Sequence, residues 1–203
     1  VGVGLLLLPI YLASSSPRRR ELLQQLGLRF DVISRPVDET VSEMLEPGSL
    51  VEVLSARKAR EASLELSSGL VIGSDTVVVW RGEILGKPAD KSEALYMLQC
   101  LQGNEHYVYT GLAVLDVADG RMISTHERTK VFFRAAGDDE LKRYAESDEP
   151  LDKAGAYAIQ GLGAVFVSGI EGCYTNVVGL PLFKLASVLK NFGVNVLESD
   201  EIY

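Results

Sequence analysis

Asp75 stands inside the run Leu70-Val71-Ile72-Gly73-Ser74-Asp75-Thr76-Val77-Val78-Val79-Trp80, among the most apolar stretches of the chain. A lone carboxylate in such a setting costs several kcal/mol unless a cation or hydrogen bonds offset the loss of water. Three basic clusters could supply that offset: Arg18 with Arg19, Lys58, and Lys87, each at the end of an element or on a buried face. Together with Lys153 they carry enough charge to hold a polyphosphate. The acids Glu39, Asp75 and Asp152 would then provide metal ligands and a base, because phosphoryl chemistry needs neutralised phosphate charge and a water aligned for attack. The chain has no GxxxxGK[ST] loop, no dinucleotide-binding glycine fingerprint and no kinase signature, which argues against a P-loop nucleotide enzyme.

The elements that must position these groups follow from periodicity and punctuation. The β-branched run around Asp75 and the Arg81-Gly82 turn after it predict a strand entering a hairpin. Upstream, a strand over 10–13 leads into Ser14-Ser15-Ser16-Pro17 and a short helix that stops at Gly27, with a serine N-cap and proline at the first helical position. The N–H groups of the loop holding Ser14 and Ser16, with the helix N-terminus, form a natural anion site beside Arg18 and Arg19. Arginines placed there oppose the helix dipole, so they serve a bound anion better than they serve the helix. A second strand is predicted over 28–36, ending in the loop that carries Glu39. A helix over 50–66 gathers Val51, Leu54, Ser55, Ala59, Ala62 and Leu66 on one face. Lys58 shares that face, and either snorkels to its edge or reaches into a cleft toward Asp75 or a phosphate.

Beyond the Asp75 strand, residues 83–85 return to Gly86-Lys87-Pro88, and Asp90 with Glu93 predicts a capping box for a helix ending near Gly103. A long hairpin turns at Asp119-Gly120 and pairs 107–117 with 121–134. A helix over 138–147 precedes a glycine-rich, charged segment, 148–163, of the kind that carries function on a rigid scaffold. Strands over 164–168 and 174–178, joined at Glu171-Gly172, and a helix from Pro181 to Gly193 complete the reading. The expectation is one α/β domain, a mixed and largely antiparallel sheet flanked by helices.

With 203 residues, 47% of them hydrophobic, the chain can bury one sizeable core or two lobes around a cleft. A net charge of −8 argues against a general binder of nucleic-acid polymers, so an anionic ligand must be met by local cations. Cys100 and Cys173 make neither a disulfide framework nor a zinc motif, and a reducing cytoplasm fits them as packing residues. His106 and His126 lie on the long hairpin without metal-ligand spacing, and Trp80 reads as packing or edge cover. The apolar stretch 1–8 lacks a basic flank and is too short to span a bilayer, so no membrane partner is expected and 1–8 reads as a segment extra to the domain.

Four strings, Leu12-Ala13-Ser14-Ser15-Ser16-Pro17-Arg18-Arg19, Gly73-Ser74-Asp75-Thr76, Gly86-Lys87-Pro88 and Asp148-Glu149-Pro150-Leu151-Asp152-Lys153-Ala154-Gly155, occur in an order and spacing that resemble the Maf family. The resemblance runs from residue 10 to residue 192. It implies an elongated fold like that of inosine triphosphate pyrophosphatases, two lobes around a deep cleft, and hydrolysis of a nucleoside triphosphate to monophosphate and pyrophosphate with Mg²⁺ or Mn²⁺. Matched residue by residue, Asp75 takes the place of the family's proton acceptor, and Glu39, Lys58 and Lys87 take places around the triphosphate and metal. Arg18, Thr76 and Gln160 match the positions tied to base choice and resemble the subgroup acting on dTTP and UTP rather than that acting on 7-methyl-GTP. An amide such as Gln160 can donate and accept at once, as the O4/N3–H edge of uracil or thymine requires. Ala158 departs from the glycine expected there.

In the mechanism so implied, Asp75 deprotonates a water for attack on the α-phosphorus while Lys58, Lys87 and Arg19 hold the leaving pyrophosphate. The alternative makes Asp75 chiefly a metal ligand and Glu39 the base, and Glu39 and Asp75 are the residues expected at the metal. The family also implies a homodimer and a house-cleaning role, on canonical or modified pyrimidine nucleotides, linked to cell-division arrest. Two rivals stand beside this reading. One is a non-catalytic, nucleotide-binding regulator of septum formation or cell shape; the other is a monophosphatase, which would release orthophosphate.

Overall fold

The computed structural model describes residues 8–42 and 44–198. The stretch 1–7, most of the segment read as extra to the domain, lies outside the described residues. Strand β1 (Ile10–Ala13) leads through the serine loop into helix α1 (Pro17–Gln24), then to a short strand β2 (Asp31–Val32) and a long helix α2 (Pro47–Ser63). Strand β3 (Leu70–Trp80) follows, turning at Arg81-Gly82 into β4 (Glu83–Leu85), helix α3 (Lys91–Leu101) and the hairpin of β5 (Glu105–Asp116) and β6 (Met122–Phe133). Helix α4 (Asp138–Ala145), three 3-10 turns between Pro150 and Phe166, strand β7 (Val167–Glu171) and helices α5 (Tyr174–Val178) and α6 (Leu182–Lys190) end the described fold.

The strands form one mixed sheet in the order β2-β1-β3-β5-β6-β7, with β4 also on β3. β1 runs parallel to both β2 and β3, and the remaining pairs are antiparallel. This is the α/β, mixed and largely antiparallel sheet that the patterning predicts. On one side β3 is flanked by β5 along nearly its whole length, Leu70–Val79. On the other side β1 covers it only at Leu70–Gly73 and β4 only at Val78–Trp80. Between them, among the described residues, Ser74–Val77 have no strand neighbour on that side. The sheet forks there, and the fork opens beside Asp75.

Two cores lie at the two ends of the long strands. Leu70, Ile72, Leu112 and Val114 join β1, α1 and α6 side chains in one. Val78, Val108, Val131 and Phe133 join α3, α4, Tyr157 and Phe166 in the other. Helix α2 crosses the opposite face of the sheet at two glycines. A methyl group on Gly73 would overlap the Ser55 carbonyl, and one on Gly111 would overlap the Val51 carbonyl. That close approach fixes the height of α2 above β3 and hence the reach of its side chains.

Several boundaries differ from the sequence expectation. Residues 174–178 form a helix, not a strand, although Tyr, Thr and Val favour strands locally. The buried Asn176 amide donates to the Val108 carbonyl at 3.1 Å and to Thr129 Oγ1 at 2.9 Å, and Gly179 at φ 122° ends the turn. Tertiary hydrogen bonds here outweigh propensity. The strand expected over 28–36 shrinks to Asp31–Val32, an exposed edge pair, while Leu28 and Phe30 pack against a core. The strand expected from 164 starts at Val167, because Glu149 accepts the Leu162 and Gly163 amides and winds 161–166 into a 3-10 turn. At α3, Asp90 caps the Glu93 amide at 2.9 Å, but the Glu93 carboxylate takes the Ala89 amide at 2.6 Å rather than that of Asp90.

Candidate active site

The fork in the sheet opens into a cleft of about 700 Å³. Its walls come from the serine loop and first turn of α1, the loop carrying Glu39, the Lys58 face of α2, the centre of β3, Gly86-Lys87, and the segment 152–160. Ser14, Ser16, Arg18, Arg19, Glu39, Lys58, Asp75, Thr76, Lys87, Asp152, Lys153 and Gln160 therefore converge on one cavity from six separate stretches of chain.

Alternation along β3 sorts its side chains. Asp75 points, with Gly73 and Val77, toward α2, whereas Ser74 and Thr76 point toward α5 and the α1 side. An intact sheet would separate these two faces. At the fork both Asp75 and Thr76 line the cleft.

Asp75 is only 8% exposed. Lys58 Nζ lies 2.5 Å from its Oδ1 and 2.8 Å from Glu39 Oε1, so one ammonium bridges two carboxylates. Lys58 thus leaves the apolar stripe of α2 for the cleft and does not snorkel to the surface. Glu39 stands at the rim with its side chain 61% exposed. The Lys58 hydrogen bond, aided by the charge of Lys87, holds its carboxyl below the usual range against a smaller cost of burial.

Arg19 turns inward from α1. Its Nε donates to the Gly179 carbonyl at 2.7 Å, Nη2 to Thr76 Oγ1 at 3.0 Å and Nη1 to Ser14 Oγ at 3.5 Å. Burial lowers its pKa, the charge of Asp75 opposing. Three of its five N–H groups are committed, leaving two for a ligand. Ser16 caps α1 by accepting the Arg19 amide at 3.5 Å, and its own amide donates to Ser14 Oγ at 3.2 Å.

Arg18 reaches Asp152 at 3.5 Å, and Lys153 pairs with the same carboxylate. Burial pushes the Asp152 carboxyl up, but Lys153 and Arg18 together bring it below its ordinary value. Behind this segment Gly155, at φ 69°, donates to the Gly86 carbonyl at 2.9 Å and leaves no room for a side chain against Val78. Tyr157 anchors it through a 2.7 Å hydrogen bond to His106 Nε2. Ala158 is buried in its place between Tyr157 and Ile159. Lys87, beside Gly86, and Gln160, downstream of Tyr157, both line the cleft.

Sequence reasoning missed Ser74, Thr110, Asn176 and Gly179. The single Ser74 hydroxyl proton is shared between the Gly111 and Gly179 carbonyls, 2.9 and 3.1 Å from Oγ, and Thr110 lies opposite Thr76 in register. The available signal was an asparagine inside an otherwise strand-favouring run, Tyr174–Val178. Cys100 and Cys173 are free and partly buried. His126 pairs with Glu52 at 2.7 Å, outside the cleft. Trp80 is half-buried, with the Arg81 guanidinium 4.6 Å above its ring.

No helix among the described residues is long and apolar enough to cross a membrane. No group of three or more His, Cys, Asp or Glu among them could hold a metal ion unaided.

The model of the family described as Maf-like protein matches residues 9–192. The dTTP/UTP pyrophosphatase of Pelotomaculum thermopropionicum is 57% identical over 93% of this chain and 98% of its own. Those of Desulforamulus reducens and Carboxydothermus hydrogenoformans are 50% and 49% identical, covering 93% and 91% of this chain and 99% and 98% of theirs. Among solved structures, the Ham1 protein of Staphylococcus aureus superposes with a TM-score of 0.48 and 15% identity, over 78% of this chain and 79% of its own, too distant a likeness to bear on function. The four strings read from the sequence all fall within the matched span and each contributes residues to one cleft; the chain belongs to the Maf family.

Proposed function

We propose that the protein hydrolyses dTTP and UTP to the monophosphate and pyrophosphate. The observation that carries this reading is the Asp75–Lys58–Glu39 set at the fork of the sheet, faced by Arg19 across a cavity large enough for a nucleotide. The names of the relatives, dTTP/UTP pyrophosphatases at about half identity over nearly the whole chain, support the choice of bases.

The triphosphate lies along the cations. Arg19 has two uncommitted N–H groups and Lys58 one, and Lys87 and Lys153 add charge from the opposite wall. These groups stabilise charge on the leaving pyrophosphate, where electrostatic preorganisation acts most strongly. Asp75 serves as the base that takes a proton from the attacking water, its carboxylate held by strand β3 and by Lys58. Glu39, exposed at the rim, suits a ligand role there. Gln160 and Thr76 face the base and Arg18 stands near them.

Glu39 and Asp75 also fit a divalent cation, because they already share one positive charge between them. A hard ion such as Mg²⁺ takes one or two carboxylates and completes its shell with phosphate oxygens and water, so it needs no all-protein cage. Bound there, it would neutralise phosphate charge. A cytoplasmic location suits the two free cysteines. A homodimer accompanies this reading as a family expectation, to be read by light scattering.

The test is ³¹P NMR of a panel of canonical and modified nucleoside triphosphates with Mg²⁺ or Mn²⁺. Pyrophosphate from dTTP and UTP in preference to other bases is expected. Orthophosphate release would move the reading to a monophosphatase or stepwise phosphatase, and binding without turnover across the panel would favour a non-catalytic regulator.

A further inference from the structure

Behind Arg19 a line of hydrogen bonds crosses the sheet: Arg19 Nη2 to Thr76 Oγ1 at 3.0 Å, Thr76 Oγ1 to Thr110 Oγ1 at 2.9 Å, and Thr110 Oγ1 to the Asn176 carbonyl at 2.9 Å. Distances alone leave the middle proton undirected, but the two ends fix it. A guanidinium only donates and a carbonyl only accepts. The Asn176 carbonyl lies in a fully buried residue, and the Leu180 amide that would close the helical bond to it bonds instead to Thr175. Thr110 must spend its single proton there, because an unmet buried carbonyl is costly. Toward Thr76 it can then only accept, so Thr76 donates inward and presents lone pairs alone to Arg19 and to the cleft. The far end is equally determined. Thr129 gives its proton to the Cys173 carbonyl and so accepts from Asn176 Nδ2, which holds α5 in place. The same α5 turn delivers Gly179, whose carbonyl takes Arg19 Nε at 2.7 Å.

We infer that Thr110, which does not line the cleft, is a positioning residue: by accepting the Thr76 hydroxyl proton it leaves Thr76 only an acceptor toward Arg19 and locks the Arg19 guanidinium in the orientation that receives the phosphates. The inference deepens the proposed pyrophosphatase reading and rests on it for its catalytic consequence, but not for the orientation of Arg19. Thr110→Val keeps the shape and removes the hydroxyl. Thr76 is then free to turn its proton toward Arg19, which repels it.

Two measurements are made side by side. In the ligand-free protein, hydrogen exchange of the Arg19 Nε–H, assigned by its loss in Arg19→Lys, is followed by NMR. Thr110→Val is expected to speed it by about tenfold, the worth of one hydrogen bond, while Thr110→Ser stays near wild type. In turnover of dTTP, Thr110→Val should lower kcat/KM by about tenfold in the wild-type background and have no further effect in Thr76→Val, since a residue acting through Thr76 cannot add to its loss. Unchanged exchange in Thr110→Val, or equal losses in both backgrounds, overturns the inference. Thr110→Ala replaces the valine variant if thermal melts show that valine fails to pack. A wild type that turns over no nucleotide defeats the proposed function, and the exchange measurement still decides the orientation of Arg19.

Discussion

Lys58 is the only ammonium within hydrogen-bond distance of both Asp75 and Glu39 among the described contacts, so the two carboxylates respond differently to its loss. Asp75 is enclosed, whereas Glu39 can turn to water. Lys58→Met should therefore leave an unpaired buried charge at Asp75 and destabilise the protein by up to about 3–5 kcal/mol, the cleft water reducing the cost. Adding Asp75→Asn to that variant should restore much of the stability, as measured by urea unfolding of the single and double variants. By itself Asp75→Asn should fold, since Lys58 retains Glu39, and should lose about 10²–10⁴ in turnover if the carboxylate is the base. Asp75 was legible from sequence because a charge in a β-branched run needs a partner. The partner itself was not, since periodicity put Lys58 on an apolar face where snorkelling and a cleft role look the same. What separates them is the height of α2, a tertiary quantity.

That height is set between elements. Gly111 is the register partner of Asp75, and Gly73 lies two residues before it on the same face of the sheet. Both are covered by α2 backbone. Gly111→Ala should push α2 off the sheet, destabilise the fold by about 1–3 kcal/mol and draw Lys58 away from Asp75. Thermal melts and dTTP turnover measured together should both fall, and an unchanged turnover would show that α2 does not set the site. Helices α1, α2, α3, α4 and α6 and the long hairpin were readable because caps, glycine stops and amphipathic spacing agree with the fold. The helix at 174–178 was not. Four of its five residues favour a strand locally, and only the long-range hydrogen bonds of Asn176 make it a helix. Thr110, Asn176 and Gly179 went unrecognised for the same reason, since their role exists only once β3, β5 and α5 are stacked.

On the scale of the whole molecule, two cores at either end of β3 and β5 leave the fork between them as the place where side chains from both faces of a sheet can meet. The core that holds Tyr157 also contains a titrating group. His106 is buried, and burial lowers its pKa from 6.5 to about 4. Its Nδ1 has no hydrogen-bond partner among the described residues, so the imidazolium, in which both ring nitrogens carry protons, would hold an unsatisfied buried donor there. As pH falls from 6.5 toward about 4, the unfolded chain takes up a proton that the native state refuses, and stability declines over that window. His106→Gln should flatten this part of the stability–pH curve in denaturant titrations. The topology that makes the fork could not be read from any one segment, although the class of fold and the strings that meet there could.

In the proposed reaction water attacks the α-phosphorus, and pyrophosphate leaves against the cations of the cleft. Turnover of dTTP in H₂¹⁸O, with both products analysed by mass spectrometry, tests it most directly. The label is expected in the monophosphate and absent from the pyrophosphate. Label in the pyrophosphate would place the attack at the β-phosphorus and contradict the roles given to Asp75, Lys58 and Arg19.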